Sequence, residues 1–109
     1  MKAPKNPPKH LSALAANWWR SVTDQYHLEP HQRHLLQLCC EALDRGAQAR
    51  EGLAVAGQLT FTDNHGNVKP HPLVAVEHNA ALRVARLIHA LGIDVEPGRP
   101  GPGRPPSSY

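Results

Sequence analysis

Between two long stretches of helical periodicity lies a short segment that no helix can cross. It reads Gly57-Gln58-Leu59-Thr60-Phe61-Thr62-Asp63-Asn64-His65-Gly66-Asn67-Val68-Lys69-Pro70-His71-Pro72. Leu59 and Phe61 fall on one face of an extended run, and the stretch 63–67 is rich in the residues that make tight turns. A second short run follows, and Pro72 suits the first position of a new helix, where its missing N–H has no intrahelical partner to lose. The periodic stretch before this segment is about 27 residues long and the one after it about 20. Helix, hairpin, helix is the arrangement these features dictate. The two long helices then fold back as an antiparallel pair.

The rest of the chain adds one shorter helix. Ser12 is placed to cap it, since a serine hydroxyl accepts from backbone donors two or three residues on. Leu14, Ala15, Trp18, Val22 and Tyr26 recur at helical spacing and predict its buried stripe. Pro30 opens the second helix, with the charge of Glu29 at its positive end. Its stripe runs Leu35, Leu38, Cys39, Ala42, Gly46, Ala49 and Leu53, widened by Leu36 and Leu43, and Gly57 ends it. Gly46, Gly52 and several alanines keep this helix slim, which permits close approach of another. The third helix carries Leu73, Val76, Ala80, Val84, Leu87 and Leu91, extended by Leu82 and Ile88, and stops at Gly92. His71, pushed to extended geometry by Pro72, is positioned to cap it.

The expected fold class is therefore mainly α: three helices, with a long antiparallel pair joined by a short β-hairpin. A flexible basic arm over residues 1–10, a helical domain over 11–92 and a flexible Pro/Gly/Arg tail over 93–109 complete the expected organisation. A chain of 109 residues with 5% aromatics has a modest core. Helix pairs with cores this thin often bury the remainder by oligomerising. No stretch nears the ~18 apolar residues of a membrane span, and the Pro- and Lys-rich start is not a signal peptide. Cys39 and Cys40 are neighbours on a helix and cannot form an ordinary bridge with each other, which fits a reducing cytoplasm.

The net charge of +3 has a location. Lys2, Lys5 and Lys9 stand in the first ten residues with no acid beside them, whereas basic and acidic side chains balance between residues 11 and 91. DNA phosphates are therefore expected to meet Lys2, Lys5 and Lys9, helped by Arg99 and Arg104 in the tail. Gly98-Arg99-Pro100 and Gly103-Arg104-Pro105 look like fragments of minor-groove hooks, each without the second arginine of a full hook. If the arm is not the contact, Arg20, Arg45, Arg50, Arg83 and Arg86 are the next candidates. Subunit contacts are expected at Leu38 and Leu87 on the leftover apolar stripe. Trp18 and Trp19 join them, since adjacent residues point about 100° apart and cannot both face one partner. An interface anchor and simple core packing both suit the second tryptophan.

Catalytic chemistry finds little support. No Gly-rich phosphate loop, Ser/His/Asp arrangement or nuclease-type carboxylate cluster is present. His27, His31 and His34 have helical spacing, but Pro30 interrupts it and no Cys or carboxylate completes a metal set. An HNH-type metal nuclease would draw on His65, His71, His78 and Asn79. It would also need histidines on the first strand, where this chain has Thr60 and Thr62. No metal and no cofactor is expected.

Several elements together carry a resemblance: Pro8-Lys9-His10-Leu11-Ser12, the tryptophan position of the first helix, Leu35, Leu38, Cys39, Arg45, Ala49, Leu53 and Gly57. Gly66, Lys69, His71, Pro72 and the closing Leu91-Gly92 complete it. In this order and spacing the chain resembles the P27 family of phage terminase small subunits. It departs from the pattern where relatives begin the second helix with a threonine cap and an aspartate shortly after. Here Glu29 and Gln32 stand instead, and capping is the role expected of those positions. The resemblance implies a non-catalytic homo-oligomer, a ring, that recognises viral double-stranded DNA in the host cytoplasm and supports the large terminase subunit, which holds the ATPase and nuclease. A small dimeric DNA-binding regulator of a phage or prophage is the alternative reading, with the metal nuclease a remote third.

Overall fold

Each helix starts where the local sequence supplies a cap, and α2 and α3 stop at a glycine. The computed structural model describes residues 6–93. In order come α1 (Ala13–Gln25), α2 (Pro30–Ala56), β1 (Thr60–Thr62), β2 (Val68–Pro70) and α3 (Pro72–Leu91). The Ser12 hydroxyl accepts from the Ala15 N–H at 3.1 Å and so caps α1. At the head of α2, the Gln32 side chain accepts from the Glu29 N–H at 2.8 Å. This is the returning bond of a capping box, so the exchanged pair keeps a capping function. His71 caps α3 as expected, its Nδ1 accepting from the Leu73 N–H at 3.1 Å. Gly57 and Gly92 close α2 and α3 with φ of 72° and 75°, a left-handed turn that a side chain would strain.

The α2 helix is the spine. Its 27 residues span about 40 Å, and α3 runs back along it. Gly52 meets Leu73, Gly46 meets Ala80, and the Cys39 thiol reaches the Val84 carbonyl at 3.9 Å. As one number falls the other rises, so the pair is antiparallel. A Cβ added at Gly46 would sit 3.4 Å from that of Ala80, so the small-residue reading of this helix is realised as a close crossing.

The α1 helix packs across the first half of α2. Leu11, Ala15, Trp19, Val22 and Leu28 close over Leu36 and Cys40, with Leu91 of α3 joining from the side. Cys39 and Cys40 divide their work. Cys40 faces α1, its thiol 3.7 Å from the Ala15 carbonyl, while Cys39 faces α3. Two consecutive residues about 100° apart thus let one rung of α2 touch both other helices. Leu36, Cys39 and Cys40 are the most deeply buried of the larger side chains. Each fully buried leucine contributes about 1.5–3 kcal/mol.

Three expectations about faces need correction. The α1 stripe was placed on Leu14 and Trp18, but Trp19 turns inward at 5% exposure and Leu14 stands 77% exposed. Adjacent tryptophans support two helical phases equally well, and the Leu36–Cys40 surface of α2 selects the one that also carries Ala15 and Ala16. On α2, Leu38 is 37% exposed and Cys40 takes the inward position instead. Along α3 the phase is right but the burial is not, since only Ala80 and Leu91 are buried. Among the described residues a single helix, α2, covers most of its length, and no second layer buries its flanks.

The hairpin is antiparallel, pairing Thr60 with Pro70, Phe61 with Lys69 and Thr62 with Val68. Asp63 organises its turn, with Oδ1 accepting from the His65 and Asn67 N–H groups at 2.8 and 2.9 Å. Gly66 takes φ of 79° within that turn. Every residue of both strands is exposed, Phe61 included. The hairpin therefore joins the helices without adding to the core.

Candidate functional site

Of the expected DNA-contacting residues, only Lys9 lies among the described ones. Lys9 is exposed, in a turn closed by the Leu11 N–H donating to the Pro8 carbonyl at 3.3 Å. Lys2, Lys5, Arg99 and Arg104 lie outside the described residues. The stretch just after Lys9 is anchored firmly. His10 Nε2 lies 2.7 Å from Glu41 Oε2, and the Ser12 N–H donates to Asp44 Oδ2 at 2.8 Å while its hydroxyl donates to Oδ1. Hydrogen bonds from Gln37 and His10 hold the Glu41 carboxyl below its ordinary pKa. Two carboxylates of α2 thus fix His10 and Ser12 against that helix. Sequence reading missed both, because nothing local marks an α2 carboxylate as the partner of a residue about 30 positions earlier.

The arginines of the body fall into two sets. Arg20 donates to the Asn17 side chain at 3.0 Å, Arg33 to the Leu28 carbonyl at 3.1 Å, and Arg50 lies 3.7 Å from Glu77. Arg45, Arg83 and Arg86 are exposed and have no ion-pair partner among the described residues. Arg45 and Arg83 flank a shallow groove between α2 and α3 that is floored by Leu38, Ala42 and Leu87, with Glu41 at its edge. The structure therefore brings Leu38 and Leu87 together, as the leftover stripe implied.

A second groove lies on the other side of α2, where α1 begins. Leu14, Trp18, Leu43 and Ala47 line it, with Asp44 and Glu51 on its rim. Trp18 is the accessible member of the tryptophan pair, half-buried against the core, whereas Trp19 is closed into it. The structure does not bring Trp18 next to Leu38 and Leu87.

The candidate chemical sites come apart. His27 is exposed in the α1–α2 connection, 3.5 Å from Glu29. His31 and His34 are exposed on α2. His65 sits in the hairpin turn, His71 is occupied in capping, and His78 and Asn79 are exposed on α3. Among the described residues, no group of three or more His, Cys, Asp or Glu side chains is placed to hold a metal ion. Burial pushes the Cys39 thiol up to about 11 and the Cys40 thiol up to about 12, so neither supplies a thiolate near neutral pH. None of the described helices is long and apolar enough to cross a membrane.

What the described residues offer is surfaces: two grooves with apolar floors and charged rims. This defines a helical binding protein. Residues 15–96 match the family described as phage terminase, small subunit, and the chain belongs to that family. Its members are non-catalytic DNA-binding components of viral DNA packaging. That assignment selects the packaging subunit over the small regulator and over the metal nuclease. No curated protein and no solved structure matches the chain.

Proposed function

We propose that this chain works as a ring-forming homo-oligomer that holds viral double-stranded DNA in the host cytoplasm and presents it to the large terminase subunit. The match to the small-subunit family over residues 15–96 carries this reading. In it, residues 11–92 form the assembling domain, residues 1–10 a basic arm and residues 93–109 a tail. The thin core, with only Ala80 and Leu91 buried along α3, supports assembly.

DNA contact is assigned to Lys2, Lys5 and Lys9, with Arg99 and Arg104 assisting. The charge excess of the chain lies on that arm, and its base is pinned by the His10–Glu41 and Ser12–Asp44 bonds. One arm neutralises about three phosphates, giving a logarithmic salt slope near −3 on duplex DNA. Several arms on one assembly raise the attraction through effective concentration. Phosphate contacts position the protein without reading bases.

The test is a salt titration of the wild type and of a variant with Lys2, Lys5 and Lys9 all changed to Gln, on the same duplex. The expected result is a large loss of affinity and a shallower slope, with native mass and helicity unchanged. Equal affinity and slope for the two would move the contact to the helical body.

A further inference from the structure

The two grooves of this molecule are complementary to each other, and they lie on opposite sides of α2. Leu38 lies in one and Ala47 in the other. Nine residues separate them on one helix, a rotation of about 180°. Both floors are apolar. Leu38, Ala42 and Leu87 form the first, and Leu14, Trp18, Leu43 and Ala47 form the second.

Their rims differ in sign. The first groove carries two arginines, Arg45 and Arg83, against one carboxylate, Glu41. The second carries two carboxylates, Asp44 and Glu51, against one arginine, Arg50.

We infer that the occupant of each groove is the other groove on a second copy of this chain. The Leu38/Leu87 face of one subunit, with Arg45 and Arg83, seats on the Leu14/Trp18 face of the next, with Asp44 and Glu51. Trp18 supplies the large, partly desolvated side chain that such contacts favour. Self-pairing of either face would set arginine against arginine or carboxylate against carboxylate, and like charges across an interface oppose the contact. A contact between two different faces is head-to-tail, and repetition closes it into a ring. This inference rests on the homo-oligomer reading and specifies which surfaces make it and in what sense.

The experiment uses two full-length variants, each with one face blocked. Leu14→Asp alters a side chain that is 77% exposed, near the positive start of α1, where an acid is tolerated. Leu38→Asp blocks the other face, with Arg83→Glu as a second variant in case Leu38→Asp lowers the melting temperature. Native mass is measured for each alone and for an equimolar mixture. In a head-to-tail assembly every contact uses both faces, so each variant alone is a monomer. The mixture has one intact contact available and forms a 1:1 dimer that cannot grow.

Variants that keep the wild-type mass, that stop as homodimers, or that stay monomeric when mixed each overturn the assignment. A wild-type chain that is itself monomeric at micromolar concentration removes the oligomer reading instead. The two failures are therefore distinguishable.

Discussion

The end of the molecule built around α1 and the end that carries the hairpin share the same α2 spine but are held together differently. Around Leu36 and Cys40, three elements converge and their side chains are fully enclosed. Beyond Leu53 one helix pair and a two-stranded ribbon continue alone, and no residue from 54 to 79 is buried. Val55, Leu59, Phe61 and Val68 are all exposed there. What keeps the far end in shape is backbone geometry and local hydrogen bonding: the Gly57 cap, the Asp63 turn and the His71 cap. Stability from side-chain burial is concentrated in one half and directional bonding in the other. Regions with few buried apolar contacts open at lower free energy than cores do. The hairpin end is therefore expected to be the more easily opened part of the subunit.

The largest effect belongs to the enclosed half. Leu36→Ala removes a fully buried side chain at the meeting point of α1 and α2, and should cost about 2–5 kcal/mol. Phe61→Ala removes a larger side chain from the exposed ribbon, where a cross-strand contact with Lys69 is the main loss, and should cost about 1 kcal/mol or less. Denaturant titrations at one fixed protein concentration measure both, since assembly makes apparent stability depend on concentration. Comparable losses for the two would erase the distinction between the halves.

The helix ends were legible in the sequence because their determinants are local. Ser12, Pro30, Gly57, His71, Pro72 and Gly92 each act on backbone groups within a few residues, and each occupies the place its chemistry implied. The enclosed half depends on which surfaces meet, and there the sequence was ambiguous. Trp18 and Trp19 made two phases equally periodic, and only the Leu36–Cys40 surface resolved them. Asp44 and Glu41 tie down Ser12 and His10, contacts that no local pattern marks. For the candidate surfaces, the helical period placed Leu38 and Leu87 on the apolar stripes of α2 and α3, and the two line one groove. The groove beside Trp18 did not, since it needs the position of α1 on α2.

A middle-sized effect comes from the two thiols. Desolvation moves Cys39 from 9.0 to about 11, and Cys40 to about 12, the latter aided by the neighbouring Cys39, Asp44 and Glu41. Unfolded thiols release their protons near pH 9, whereas the folded ones keep theirs until higher pH. The stability they contribute is fully present below pH 9 and is lost as pH rises from there through the folded values. Denaturation midpoints at about pH 8 and about pH 10 should therefore fall more for the wild type than for Cys39→Ala/Cys40→Ala. An identical fall in both would assign alkaline destabilisation to other groups. Thiol-reactive reagent at neutral pH should likewise label the wild type only as fast as its enclosed half opens.

The smallest global effect, and the sharpest local one, is expected at Asp63. Its carboxylate accepts from the Asn67 and His65 N–H groups and lies 3.2 Å from the Lys69 ammonium. The Asn67 bond first, then those from His65 and Lys69, hold its pKa below the ordinary 3.8. A lowered pKa means that the turn gains stability from this group above the ordinary value and loses it as pH falls through the folded one. Asp63→Ala removes the acceptor altogether, so amide exchange at His65 and Asn67 should rise by about tenfold, as the loss of about one net hydrogen bond implies. Asp63→Asn keeps an acceptor oxygen in place. It should hold exchange near the wild-type rate while abolishing the acid sensitivity. Because no buried side chain depends on this turn, the melting temperature of Asp63→Ala should stay close to that of the wild type. A fall as large as that of Leu36→Ala would mean that the ribbon unfolds in one step with the enclosed half. Directional bonding at the tip would then be part of the same cooperative unit as the core.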